Sequence, residues 1–104
     1  MAKIGQPYTA GNWTVKPGNE DAFVAAWTEF IEWSLKVAPD SGPFYLMQDT
    51  TNPRHFISVG EWDNPDAVLA WQRHPEFPEY LGKARSLCET LYAPPYKLVS
   101  APTR

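Results

Sequence analysis

The chain has 104 residues, of which 43% are hydrophobic, and its 9 basic and 12 acidic side chains give a net charge of -3 at pH 7. A chain of this length can bury one core, so we expect a single domain over residues 1–104. The acidic balance without a run of Lys or Arg argues against a nucleic-acid partner, and no segment approaches the ~20 apolar residues of a membrane span.

The N-terminal third is predicted to contain a strand and a long helix. Its first residues, MAKIGQPYTAGNW, include no apolar stretch long enough for a signal peptide, which predicts a cytoplasmic protein. β-Branched and aromatic residues predict a strand over Tyr8–Val15, and Lys16–Gly18 is a turn sequence. From Asn19 to Val37 the apolar residues recur every three or four positions, which predicts the helix.

A hairpin is predicted next. The segment PDSGP ends the helix, and the segments FYLMQDT, Phe44–Thr50, and HFISVGEW, His55–Trp62, have the composition of strands. They are joined by the short segment TNPR, so we expect them to pair antiparallel. His55 opens the second of these strands and is interpreted as an exposed turn residue.

The last part of the chain is predicted as two helical segments and a strand. Pro65, with Asn64 or Asp63 as the cap, begins a helix that ends at Trp71 or Arg73. YKLVS, Tyr96–Ser100, is the last strand. A second helical stripe of apolar residues reaches the sequence APP and comprises Tyr80, Leu81, Ala84, Leu87, Cys88 and Leu91.

The single cysteine, Cys88, lies in that apolar stripe. This setting is typical of a small buried residue and not of a nucleophile. One cysteine leaves no disulfide and no Cys-based metal site within the chain, and we predict no metal centre.

The order strand, helix, strand, strand, helix, strand predicts an α+β ferredoxin-like βαββαβ fold, with a four-stranded antiparallel sheet and its helices on one face. In strand His55–Trp62 the side chains alternate, so Phe56 and Trp62 share one face while Ile57 and Val59 share the other. Helices can cover only one of these apolar faces. We therefore predict a homodimer through the second sheet face.

Several aromatic residues are predicted to lie between the sheet and the helices. The spacing directs Trp13, Trp27, Trp62 and Trp71 there, while Trp33 faces elsewhere. Indole rings can stack on a flat ligand and their N–H groups can donate to its oxygen atoms. A core of this size also needs large side chains, so packing alone stays open as an explanation.

The stretch from Trp62 to Phe77 is predicted to form the rim of this pocket. Trp71 lies near the end of its helix, and His74 and Phe77 follow where prolines interrupt the chain. His74 has a side chain suited to general base catalysis near neutral pH. A solvated residue at a helix end is the alternative for His74, and Arg73 and Arg85 are interpreted as solvated helix-surface residues.

Four segments of the chain resemble those of a known protein family. The segments VKPGNEDAF, ISVGEW, WQRHPEF and YKLV, in this order, are similar to the antibiotic biosynthesis monooxygenase superfamily of dimeric α+β barrels. The resemblance implies one of three activities: oxygenation of an aromatic, polyketide-like molecule without metal or flavin, degradation of haem, or no known reaction.

The haem-degrading branch can be tested residue by residue. The resemblance implies a strand Asn, a helix Trp and a helix His, and these positions fall on Gly11, Trp71 and Leu81. Only the tryptophan is kept, and leucine cannot ligate iron. His74 would have to ligate the haem iron from a different position, so haem binding is the least favoured of the hypotheses.

The monooxygenase branch implies a cofactor-free reaction in a Trp-lined pocket. Members of that branch present an Asn four residues before the strand Trp, and here Ser58 stands at that position before Trp62. We predict His74 and Trp71 as catalytic residues, with no cofactor. The predicted substrate-binding residues are Trp13, Trp27, Ser58, Trp62 and Phe77. A non-catalytic module that binds a hydrophobic ligand, or that only dimerises, is the alternative function.

Overall fold

A computed structural model describes residues 3–104; Met1 and Ala2, which the predicted domain includes, lie outside the described residues. The chain forms an α+β, ferredoxin-like protomer, as the sequence predicts. Its elements are β1 Pro7–Val15, α1 Glu20–Val37, β2 Ser41–Gln48, β3 His55–Trp62, α2 Pro65–Arg73, α3 Phe77–Arg85, β4 Cys88–Tyr92 and β5 Pro95–Lys97.

The sheet is antiparallel and has the order β2-β3-β1-β4, with β5 paired to the other end of β1. β1 is the central strand. It pairs with β3 along nearly its whole length, from Tyr8 opposite Glu61 to Thr14 opposite His55. This register fixes which residues of β1 and β3 share a face, and it positions the site described below.

One predicted element is wrong. The helical stripe was expected to continue to Leu91, but α3 ends at Arg85 and Cys88–Tyr92 is strand β4. Cys88 and Leu91 have opposite strand parity, yet both contact the core, because the register between β4 and β1 shifts between Thr14 and Val15. The second half of β1, Asn12–Val15, has a free edge whose backbone groups need hydrogen-bonding partners. Pairing with this edge makes Cys88–Tyr92 a strand.

Two other boundaries differ from the prediction. The last strand is Pro95–Lys97, not Tyr96–Ser100. Because β4 also joins the sheet, the sheet has five strands and not four. β2 begins at Ser41, three residues before the predicted Phe44, and a register irregularity lies between these two residues where it joins β3.

All three helices follow from local signals and share the core with one face of the sheet. The Asn64 side chain accepts a hydrogen bond from the backbone N–H of Ala67, so it caps α2 as predicted. α1 buries an apolar stripe against the sheet and α3: Phe23, Ala26, Trp27, Phe30, Ile31 and Trp33. Cys88 is buried as expected, and burial raises the pKa of its thiol.

The opposite face of the sheet, here called the outer face, has no helix over it within residues 3–104. Ile57 and Val59 lie on it, half-buried, opposite Met47 and Tyr45 of β2. Tyr45 is 55% exposed and Met47 51% exposed, so the outer face presents large apolar side chains. No helix of the described part of the chain combines the length and the apolarity that a membrane crossing requires.

Candidate functional site

A cavity of about 570 Å³ lies between the sheet and the helices. This volume is within the range of about 300–1,000 Å³ that small-molecule sites occupy. Its floor is formed by β1 and β3, and its walls by α1, α2, α3 and the segment around β5. Aromatic rings dominate the walls: Trp13, Trp27, Phe30, Phe44, Trp71 and Phe77.

The floor has two hydroxyl groups and two glycines. Gly11 is opposite Ser58 and Thr9 is opposite Gly60 in the β1–β3 register. Residues two apart on a strand share a face, so all four line the cavity, with the hydroxyls on one diagonal and the glycines on the other. The floor is therefore polar at two points.

The glycines let aromatic rings lie close to the floor. A Cβ atom at Gly11 would be 2.5 Å from the Nε1 atom of Trp13, and one at Gly60 would overlap the ring of Phe44. No larger residue fits without displacing those rings. The two glycines thus allow Trp13 to reach Ser58 and allow Phe44 to close one side of the cavity.

Three indole N–H groups bind hydroxyl oxygens of the protein. Trp13 donates to Ser58 Oγ at 2.9 Å, Trp71 to Ser34 Oγ at 2.9 Å and Trp62 to Thr9 Oγ1 at 3.0 Å. A hydroxyl that accepts a bond still has its own hydrogen to donate. Ser34 donates this hydrogen to the carbonyl oxygen of Phe30 at 2.8 Å.

The hydroxyls of Ser58 and Thr9 differ from that of Ser34. Within residues 3–104 neither donates to a protein acceptor, and both line the cavity, whereas Ser34 is fully buried outside it. Their hydrogens are thus available to a ligand. The acceptance of an indole N–H strengthens each hydroxyl as a donor, because successive hydrogen bonds polarise one another.

The aromatic walls contact one another as a continuous cluster. The ring of Trp71 stacks on Phe30 with centroids 5.6 Å apart and meets Phe77 edge-on at 4.7 Å. Trp62 lies behind Trp71, with centroids 4.9 Å apart. Such pairs stabilise one another beyond simple burial, so the wall is rigid on the side where α2 and α3 meet.

The cavity lining carries no charge. Among the described residues that form it, none is Asp, Glu, Lys, Arg or His. Tyr8 alternates with Thr9 on β1 and is opposite Glu61, so its phenol lies on the outer face, where burial and then the Glu61 carboxylate raise its pKa. The cavity thus suits an uncharged ligand.

Five of the seven residues that the sequence analysis singled out line this cavity: Trp13, Trp27, Ser58, Trp71 and Phe77. Trp62 does not; it is fully buried and reaches the cavity only through Thr9. Trp71 lines the cavity with its ring, but its N–H is donated to Ser34 and is unavailable to a ligand.

His74 lies outside the cavity, contrary to the expectation that it forms the rim. It ends α2, and its ring meets the edge of Trp33 with centroids 5.0 Å apart. Its Nδ1 atom accepts from the backbone N–H of Glu76 at 3.3 Å. The imidazole packs against Trp33 of α1, and spacing along α2 does not report such a contact between helices. Trp33, as expected, does not line the cavity.

His55 is not a free turn residue. It is half-buried on the outer face, where its Nδ1 atom lies 3.0 Å from Asp49 Oδ2 and its Nε2 atom 2.8 Å from Asn12 Oδ1. The exposed-turn interpretation overlooked the Asp49 carboxylate across the hairpin. Within residues 3–104 no group of three His, Cys, Asp or Glu side chains is arranged to hold a metal ion.

The sequence analysis did not identify Thr9 and Phe44 as site residues. Thr9 has the same strand parity as Trp13, so the alternation could have placed it on the cavity side. Phe44 carried no such signal, because its approach to the floor depends on the absence of a side chain at Gly60.

The family model for antibiotic biosynthesis monooxygenases matches residues 8–83, and the chain belongs to this family. This match spans β1 to α3 and includes the cavity floor and the Trp71 wall. A search of curated protein sequences found no match.

Solved structures of similar fold support the same architecture. SnoaB, a cofactor-independent oxygenase from Streptomyces nogalater, is 14% identical with a TM-score of 0.84, and the alignment covers 93% of this chain and 96% of SnoaB. A conserved protein from Methanosarcina mazei is 18% identical with a TM-score of 0.81, over 91% of this chain and 94% of that one. At such identities the likeness shows the fold alone.

Proposed function

We propose that this protein is a cofactor-independent monooxygenase that oxidises an uncharged aromatic, polyketide-like molecule in the cavity. The observation that carries the proposal is the construction of the cavity: aromatic walls, no charged group, and two hydroxyl donors in the floor. Family membership and the fold shared with the oxygenase SnoaB support it.

The reaction requires little from the protein besides shape and hydrogen-bond donors. An anthrone-type substrate loses a proton from its activated CH₂ group, and the resulting anion transfers one electron to dioxygen. The substrate radical and superoxide combine to form a C–O bond, and protonation gives a hydroperoxide. Its O–O bond then breaks as the second C–H proton leaves, which gives a carbonyl group and one water molecule.

Ser58 is the proposed donor to the substrate oxygen. When the substrate loses its proton, negative charge spreads to that oxygen, and a hydroxyl hydrogen aimed at it lowers the energy of the anion. The Trp13 N–H holds the Ser58 oxygen in place at 2.9 Å, which leaves the hydroxyl hydrogen free for donation to the ligand. Ser58 thus serves in place of the Asn that the family resemblance led us to expect.

The predicted roles of the two catalytic candidates change accordingly. Trp71 contributes the face of its ring, on which a flat substrate can stack, and not its N–H group. His74 is not assigned a role, because its imidazole is not part of the lining. Because no lining residue is Asp, Glu, Lys or His, the proposed acceptor of the substrate proton is solvent water.

Oxygen uptake tests the proposal and separates it from the binding-module alternative. With 1,8-dihydroxy-9-anthrone the enzyme should consume dioxygen well above the autoxidation rate, and Ser58→Ala should lower kcat/KM about tenfold, a loss of about 1.4 kcal/mol. A protein that binds this compound without accelerating oxygen uptake is the binding module and not an oxygenase.

Ser34→Ala is the matched control. Each substitution removes a serine hydroxyl that accepts an indole N–H, so each should destabilise the fold by about 1–3 kcal/mol. Only Ser58 has a hydroxyl hydrogen free to meet the substrate, so only Ser58→Ala should lower the rate. Equal loss of activity in the two variants would contradict the role proposed for Ser58.

We further propose that the protein is a homodimer through the outer face. The alternation that sends Phe56 and Trp62 into the core sends Ile57 and Val59 outward, beside the exposed Tyr45 and Met47. Contiguous apolar side chains on a sheet face without helices support a second copy as the cover, since an identical partner offers an equally apolar surface.

A further inference from the structure

We propose that Thr9 is a second ligand-contacting residue and that Trp62 is a positioning residue that acts through it. The inference rests on the proposed ligand-binding cavity but not on the oxygenase chemistry. The inference concerns the end of the floor that lies away from Ser58. There β1 pairs with the last residues of β3, just before α2.

Trp62 is held in one orientation. Its side chain is fully buried, Phe44 meets it edge-on with centroids 5.9 Å apart, and Trp71 packs on its other side at 4.9 Å. Because the indole cannot turn, its N–H has a fixed direction. This direction is toward Thr9 Oγ1, at 3.0 Å.

The bond from Trp62 determines how Thr9 can act. A threonine hydroxyl has one hydrogen and two acceptor lone pairs, and the Trp62 N–H uses one of these lone pairs. Thr9 lines the cavity and, within residues 3–104, donates to no protein acceptor. The hydrogen is therefore available to an oxygen atom of a bound molecule, in the same way as that of Ser58.

Gly60, opposite Thr9, leaves room for the Thr9 hydroxyl beside the Phe44 ring. A Cβ atom at Gly60 would lie 3.0 Å from Thr9 Oγ1, so any larger residue would crowd the hydroxyl. Thr9 and Ser58 occupy one diagonal of the floor, about 7–8 Å apart by the usual geometry of diagonal cross-strand neighbours. Two donors on the floor favour a flat ligand with two oxygen acceptors directed toward the floor.

Binding of two matched probes tests this inference. The first is 1,8-dihydroxyanthraquinone, which resembles an oxidised product and does not turn over; the second is anthracene, which has three fused rings without oxygen. Thr9→Val should weaken binding of the quinone about tenfold and leave the affinity for anthracene within about twofold. Thr9→Ser retains the hydroxyl and should restore most of the quinone affinity.

A spectroscopic readout tests the role of Trp62. Hydrogen bonds to the quinone oxygens shift its visible absorption band to longer wavelength. The bound quinone should show a smaller shift in Thr9→Val and in Trp62→Phe than in the parent, although Trp62→Phe leaves the Thr9 hydroxyl in place. A purely structural Trp62 would change stability and leave the shift of the bound quinone unaltered.

Thr14→Val is the control for substitution on β1. Thr14 lies on the same strand but faces His55 on the outer face, so this change should affect neither probe. Equal quinone affinity in Thr9→Val and the parent would overturn the inference and leave the oxygenase proposal intact. Failure of the parent to bind either probe would overturn both, whereas binding without oxygen uptake would overturn only the oxygenase proposal.

Discussion

At the scale of single residues, the partner of each indole N–H decides what that tryptophan does. Trp13, Trp62 and Trp71 all donate to a hydroxyl oxygen at 2.9–3.0 Å. The hydroxyl of Ser34 then donates to a backbone carbonyl, so the Trp71 bond is structural. The hydroxyls of Ser58 and Thr9 face the cavity. The hydrogen bonds from Trp13 and Trp62 therefore hold these hydroxyls where they can donate to a ligand.

Replacement of Trp71 tests this distinction. Trp71→Phe removes the N–H from a buried hydrogen bond and some apolar volume, so it should lower the free energy of unfolding by about 1–3 kcal/mol. A double-mutant cycle with Ser34→Ala should show a coupling energy of about 1 kcal/mol in urea unfolding.

Trp33→Phe provides the comparison. Its N–H donates to Glu76 Oε1 at 3.3 Å, a longer bond in a half-exposed setting, so its loss should cost less. Additive effects of Trp71→Phe and Ser34→Ala would mean that the buried hydrogen bond does not stabilise the fold.

At the scale of secondary-structure elements, the hairpin between β2 and β3 depends on the Asp49 carboxylate. Asp49 Oδ1 accepts from the backbone N–H and the hydroxyl of Thr51, at 2.8 and 2.7 Å, and Oδ2 lies 3.0 Å from His55 Nδ1. The bonds from Thr51, and then that from His55, hold the pKa of this carboxyl well below its ordinary value. The turn is thus organised by an ionised side chain.

This pKa shift predicts a pH dependence of stability. Because the pKa of Asp49 is lower in the folded than in the unfolded chain, its contribution is fully present above the unfolded value and is lost as the pH falls. Asp49→Asn should therefore unfold at lower urea concentration than the parent at about pH 7, and the difference should shrink at about pH 3. A pH-independent difference between the two proteins would contradict this assignment.

At the scale of the whole molecule, the helices cover one face of the sheet and leave the other exposed. One face and the helices enclose the cavity, and the outer face leaves Tyr45, Met47 and Tyr92 exposed by half or more. A domain of this size cannot cover both faces with its own helices. The proposed dimer covers the outer face without closing the cavity.

Light scattering should give twice the mass of the 104-residue chain at micromolar concentration. Val59→Asp places a charge in the proposed interface, where it would lose its hydration without gaining a partner, so this variant should be monomeric or unfolded. Val24→Asp is the matched control: Val24 is 41% exposed on α1 and should leave the dimer intact. A monomeric parent protein would exclude the proposed interface.

Local signals in the sequence were sufficient for much of the fold. Alternation in HFISVGEW separated Phe56 and Trp62 from Ile57 and Val59, and the helical period of α1 and the Asn64 cap of α2 were both confirmed. These features depend on backbone geometry over a few residues, which the side-chain pattern reports directly.

The amino-acid sequence by itself determined the ferredoxin-like order of elements, the family and most of the aromatic residues around the cavity. The tertiary structure alone decided that Cys88–Tyr92 is a strand, that His74 points away from the cavity and that the indoles of Trp13, Trp62 and Trp71 have hydroxyl partners. The physical reason is that these outcomes depend on contacts between residues distant in sequence. The free edge of β1 and the β1–β3 register set those contacts, and no local pattern encodes either of them.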